Sequence, residues 1–140
     1  MKKIILPVLA ATLIGMLFLN SCAKDDTTTP ETTSSGDPRA KFHGHWFISE
    51  HSSMAGNTSY YVDIADSSNT TNILFAYLNG YHTRIRATVS GNNLTIPLQV
   101  VEGNNVSGGG SVVNANQVNL SYLVGLGGSS YDTITAVLTK

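Results

Sequence analysis

Residues 39–140 of this chain are predicted to be all-β, an eight-stranded antiparallel up-and-down, lipocalin-like barrel, on three observations. Short apolar runs there alternate with period two. Gly and Asn clusters punctuate them at intervals of about 10 to 14 residues, the spacing of strands joined by tight turns. No segment shows a helical period, so the crossovers that parallel strands need are missing. Closing consecutive strands into a barrel removes both exposed sheet edges; a two-sheet β-sandwich is the alternative.

The runs justify the strands in order. Phe42 to His51 places Phe42, Gly44, Trp46 and Ile48 on one face, and Thr58 to Ala65 does the same for Tyr60, Val62 and Ile64. Ile73, Phe75 and Tyr77 form the third inward row, with Leu74 and Leu78 making that run apolar on both sides. Ile85, Ala87 and Val89 alternate with Arg84, Arg86 and Thr88. Leu94, Ile96, Leu98 and Val100 make the fifth row, and Pro97, which lacks a ladder donor, marks an edge or a bulge. The sixth run, Val106 to Val113, is weakened by Gly108-Gly109-Gly110, which reads as a flexible or bulged strand. Val118, Leu120, Tyr122 and Val124, then Ile134, Ala136 and Leu138, complete the set. Turns are expected at Gly56-Asn57, Asn79-Gly80, Gly91 to Asn93, Gly103 to Asn105, Asn114 to Asn116 and Gly125 to Gly128, where Gly and Asn tolerate positive φ.

The start of the chain is of another kind. Met1-Lys2-Lys3 is a short positive start, Ile4 to Leu19 is nearly unbroken apolar sequence, and small Ser21 precedes Cys22, the layout of a secretory signal peptide over residues 1–21. The apolar run is shorter than the roughly 20 residues that span a bilayer. Leu19, Ser21 and Cys22 resemble the lipobox of bacterial lipoproteins, with Asn20 an atypical occupant. That resemblance implies lipidation of Cys22, the only cysteine in the chain. Each buried methylene contributes about 0.8 kcal/mol, so multiple acyl chains hold the protein firmly.

Residues 22–38 read "CAKDDTTTPETTSSGDP" without one large apolar side chain, a flexible tether. About 15 such residues behaving as a coil span roughly 20 to 25 Å. Lys24-Asp25-Asp26 resembles the export signal of surface lipoproteins in the Bacteroidota, which implies a place on the outside of the outer membrane. Asp26-Thr27-Thr28 and Asp132-Thr133-Ile134 also resemble that phylum's O-glycosylation acceptor pattern. Without Lys2 and Lys3 the 8 basic residues fall to 6 against 9 acidic, and such a chain lacks the basic field of a nucleic-acid binder.

The stretches "DPRAKFHGHW", "ATVSGNNLTIP" and "YDTITAVLTK" resemble small Bacteroidota lipoproteins with a lipocalin-like barrel, over about residues 37 to 140. The resemblance is one of frame, and it implies fold and address rather than an activity.

Candidate chemistry is sparse. His43 and His45, at i and i+2, share a parity with His51, a usable set of zinc, copper or nickel ligands or else outward surface histidines. No Gly-x-Ser-x-Gly elbow is present, and Glu50, Asp63, Asp66, Glu102 and Asp132 are scattered, so no enzyme and no cofactor are expected. The triple glycine has no following helix to make it a phosphate loop. Trp46, Tyr60, Tyr77 and Tyr122 fall on inward rows, as core filling or as the walls of a ligand site; Tyr61, Tyr81 and Tyr131 fall outward or in turns. The expected protein is a lipid-anchored, surface-exposed, non-catalytic binding or interaction module. Its partners are the membrane, through the anchor, and an unknown envelope or extracellular protein or small ligand; a lipocalin-like carrier of an apolar or glycan ligand is the alternative.

Overall fold

The structure, a computed structural model, describes residues 36–140. The predicted signal peptide, Cys22 and Lys24-Asp25-Asp26 lie outside the described residues.

Eight strands run in chain order: β1 Gly44–Ser52, β2 Gly56–Asp66, β3 Asn72–Ala76, β4 Ile85–Ser90, β5 Asn93–Val101, β6 Asn104–Asn114, β7 Gln117–Gly125 and β8 Tyr131–Thr139. Each pairs antiparallel with its neighbours in sequence, and β8 returns to β1, so the ring closes with no free edge. The sandwich alternative is thereby set aside. Alternate side chains point inward, and the largest wholly buried ones are Trp46, Tyr122, Phe42 and Phe75.

Both mouths are covered. At one, the turn after Asp37 folds Phe42 beneath the barrel, where its carbonyl accepts the Trp46 indole N–H at 2.7 Å. Lys140 Nζ sits 4.3 Å above the Trp46 ring and donates to the His43 carbonyl. Arg39 holds the same mouth: it pairs with Asp37 and Asp66 and donates to the Asn69 carbonyl at 2.8 Å, fastening the β2–β3 connection. Asp37, whose carboxyl the Arg39 hydrogen bonds pull down to about 2, and Pro38 belong to this folded turn and not to the tether predicted for them. At the other mouth the β3–β4 connection, with a 3-10 turn at Leu78–Gly80, drives Leu78 and Tyr81 into the core.

Three further departures have local causes. β3 ends at Ala76, and Tyr77 adopts a left-handed backbone (φ 66°, ψ 16°), so its ring lies outside instead of continuing the row of Ile73 and Phe75. A register shift between Ile96 and Gln99, at Pro97, turns Leu98 and Val100 to solvent, and Val101 takes the inward place. The β5–β6 turn is Glu102-Gly103, both at positive φ, one residue earlier than expected.

The triple glycine is neither bulged nor a gap. Gly108, Gly109 and Gly110 pair in unbroken register with β5 and β7. A Cβ on Gly108 would lie 2.4 Å from the Ser121 carbonyl oxygen and 2.5 Å from the Tyr122 Cα, and one on Gly110 2.3 Å from the Asn119 carbonyl oxygen. Glycine lets β7 cross this close, which brings Tyr122 over β6 and into the centre of the barrel.

Candidate functional site

The inward row of β1 runs Trp46, Ile48, Glu50, Ser52, so the period that buries the tryptophan also buries a carboxyl group. Tyr122, directed inward from β7, donates its phenolic hydrogen to Glu50 Oε1, and the Tyr60 hydroxyl of β2 stands beside the same carboxyl. Burial pushes the Glu50 pKa up, opposed by the hydroxyls of Tyr122 and Tyr60 and reinforced by the charge of Asp132. Both tyrosines are likewise pushed up, first by burial and then by the carboxylate beside them. Tyr60 in turn accepts the Asn79 backbone N–H at 2.5 Å, which ties this cluster to the β3–β4 connection. Asp132 accepts from the Ser52 and Ser53 hydroxyls at the same mouth, at 2.7 and 2.9 Å.

Of the four aromatic candidates, Trp46 is core, Tyr60 and Tyr122 converge on Glu50, and Tyr77 stands apart on the outer surface. Glu50 is therefore set apart from the other scattered acids, and its parity with Trp46 and Ile48 is the signal that identifies it. Tyr81, expected outward or in a turn, does lie in a connection but buries its ring.

The histidines are not brought together. His43 Nε2 lies 2.6 Å from Asp66 Oδ1, out of line for a hydrogen bond. His45 Nδ1 faces Asp63 Oδ1 at 2.6 Å, and His51 Nδ1 faces Asn57 Oδ1 at 2.7 Å. His45 and His51 are six residues apart along one strand, about 20 Å at the rise of a strand, so they do not form the predicted ligand set. Among the described residues no group of three or more His, Cys, Asp or Glu side chains is placed to hold a metal ion.

Among the described residues, two of the cavities open on the outer surface. The larger, about 610 Å³, is a groove across β2, β1, β8 and β7 lined by the outward side chains of Ser49, His51, Asn57, Ser59, Asn119 and Thr135. Residues of the inward rows between them, Glu50, Leu120 and Ala136, also border it. Beside it on the same face, Tyr61 stacks on His45 with ring centroids 4.6 Å apart and meets Phe47 edge-on at 5.3 Å. The smaller cavity, about 350 Å³, lies on β2 and β3 beneath the β3–β4 connection, walled by Asp63, Ala65, Leu74, Ala76, Tyr77, His82 and Arg84.

This architecture, eight antiparallel strands closed in sequence order, is that of an up-and-down β-barrel. No family model matches the chain, and no curated protein matches it. Solved structures share the fold, redesigned beta barrels among them. A redesigned beta barrel is 9% identical with a TM-score of 0.55, the match covering 74% of this chain and 95% of the other. The redesigned barrel mFAP1, bound to DFHBI, is 12% identical with a TM-score of 0.54, covering 74% and 99%. EF1p2_mFAP2b, also bound to DFHBI, is 14% identical with a TM-score of 0.51, covering 74% and 98%. At these identities the likeness is one of fold.

Proposed function

We propose that this chain is a lipid-anchored envelope protein, exposed at the cell surface, whose barrel is a non-catalytic binding module that takes its ligand on the outer face. The observation that carries the reading is where open space lies. Trp46, Ile48, Phe75 and Tyr122 fill the interior, Phe42 and Leu78 close the mouths, and both cavities described above face outward. The larger groove offers hydroxyl, amide and imidazole groups beside the exposed ring of Tyr61, a chemistry that suits a glycan: polar tips for its hydroxyls and an aromatic face for its ring. The anchor part of the reading is supported by the sequence around Cys22.

A second reading, a carrier that holds a small ligand inside the barrel, is favoured by the Glu50–Tyr60–Tyr122 cluster and by the two barrels of the same fold that bind DFHBI. A saccharide-array screen of the mature protein separates the two. With a glycan in the groove, His51→Ala together with Asn119→Ala weakens retention about tenfold, while stability shifts by no more than about 0.5 kcal/mol, as expected of exposed positions. Retention indifferent to that pair and lost in Tyr60→Phe supports the interior carrier instead.

The anchor has its own test. Metabolic labelling with a fatty acid should mark the wild-type protein and leave Cys22→Ala unmarked; label retained in the variant overturns lipidation at this residue.

A further inference from the structure

The smaller cavity is separate from the groove and differs from it in chemistry. Its floor is apolar, from Ala65, Leu74 and Ala76, and its rim carries Tyr77, His82 and Arg84. The ion pairs found among the described residues engage Arg39, His43 and His45, and leave the exposed Arg84 guanidinium uncommitted. The acids nearest the rim are occupied: Asp63 faces His45 at 2.6 Å, and Glu102 accepts the Thr83 backbone N–H at 2.8 Å.

The rim is also held in place. The Asn79 N–H is fixed by the Tyr60 hydroxyl and the Thr83 N–H by Glu102, so the β3–β4 connection is clamped on both sides of His82 and Tyr81. Between these clamps and β3, Tyr77 keeps a left-handed backbone, a strained conformation that bulky residues rarely adopt. The outcome of that strain is geometric: it turns the Tyr77 ring out of the core row and sets it edge-on to His82, with centroids 6.1 Å apart, at the mouth of the cavity.

We propose that this cavity binds a small organic carboxylate with an apolar or ring-shaped body. The Arg84 fork matches a carboxylate with two parallel N–H donors, and His82 supplies a third polar contact. Leu74 and the two alanines cover the apolar body, while the Tyr77 ring closes one side. A volume of about 350 Å³ is at the small end of ligand sites, which sets the size of the guest.

Amide NMR titration of the mature protein with benzoate, and with benzyl alcohol as its uncharged counterpart, tests the site. Benzoate is expected to give saturable shifts confined to residues 63–65, 74–77 and 82–84, and to bind about tenfold or more tightly than the alcohol. Arg84→Gln should weaken benzoate about tenfold or more, whereas Arg86→Gln, two residues on in β4 and outside the cavity, should leave the affinity within about twofold. Absence of saturable shifts, equal binding of benzyl alcohol, or equal losses in the two arginine variants, which would mark diffuse surface charge, each overturn the proposal.

Discussion

Gly108→Ala should destabilise the barrel by roughly 3 kcal/mol, the upper end of what an added methyl costs in a packed interior. Its Cβ would lie 2.4 Å from the Ser121 carbonyl oxygen and 2.5 Å from the Tyr122 Cα, and neither backbone atom can rotate away as a side-chain tip can. Relief requires β6 and β7 to separate, which breaks the pairing of Gly108 with Tyr122 and withdraws Tyr122 from Glu50. For a domain of about 100 residues that loss corresponds to a melting temperature lower by about 12–24 °C. Gly36, around which nothing lies within 4 Å, is the control, and Gly36→Ala should change stability by less than about 0.5 kcal/mol. A Gly108→Ala protein that melts with the wild type would mean that the strands do not cross this closely.

The second large effect concerns the buried acid. Tyr122→Phe removes the hydroxyl that satisfies Glu50 and should cost about 1–3 kcal/mol, the price of stranding a buried acceptor. Glu50→Gln keeps an acceptor for Tyr122 and removes the charge. The pH dependence follows from the direction of the shift. Burial raises the Glu50 pKa above the ordinary 4.5, so between the two values the folded protein holds a proton that the unfolded chain has released. The stabilisation from this group is complete below 4.5 and is lost as pH rises through the folded value. Urea unfolding followed from about pH 4 to pH 8 should therefore show Glu50→Gln gaining on the wild type, the gain arising between 4.5 and the folded value and levelling off above it. Asp37, lowered by its hydrogen bonds from Arg39, weakens both proteins in acid and cancels in the difference. Asp132, which burial raises but hydrogen bonds from Ser52 and Ser53 leave lowered overall, is ionised in both proteins across that range. A stability difference that stays flat across that range would show that Glu50 is not held in a low-dielectric interior.

The barrel was legible in the sequence because period-two alternation is a direct consequence of an extended backbone, and eight such rows with turn residues between them leave few arrangements. Legibility failed wherever the backbone left the extended region. Tyr77 follows Phe75 by two residues and reads as inward, yet one left-handed residue ends the alternation. Leu98 and Val100 are reversed by the irregularity at Pro97, after which every parity shifts by one. Proline announces such a site but not the direction in which it resolves.

The candidate site was harder to see, for a different reason. Tyr60 and Tyr122 were placed inward by their own strands, but their meeting at Glu50 joins β1, β2 and β7, and spacing along a chain says nothing about such a meeting. The same holds for the triple glycine, whose purpose lies in the approach of β7 and not in any property of the run itself. Arg84 could be assigned to an outward face, whereas its lack of an acidic partner emerges only when the neighbouring acids are seen to be engaged elsewhere.

The seam between β1 and β8 sets the order of events in folding. Every other strand pairing joins neighbours in the chain through a connection of at most eight residues, whereas this one brings Ser52 to Ile134 and Phe47 to Thr139, more than 80 residues apart. On loop-closure entropy, joining ends so distant costs roughly 2–3 kcal/mol more than closing a hairpin of a few residues. The hairpins therefore have no reason to wait for one another, and the seam has reason to wait for them all. The Ser52 and Ser53 hydroxyls on Asp132 act as the latch on that last step. Until it shuts, β1 and β8 are two unpaired edges, and the newly made chain is at its most vulnerable to pairing with another copy of itself.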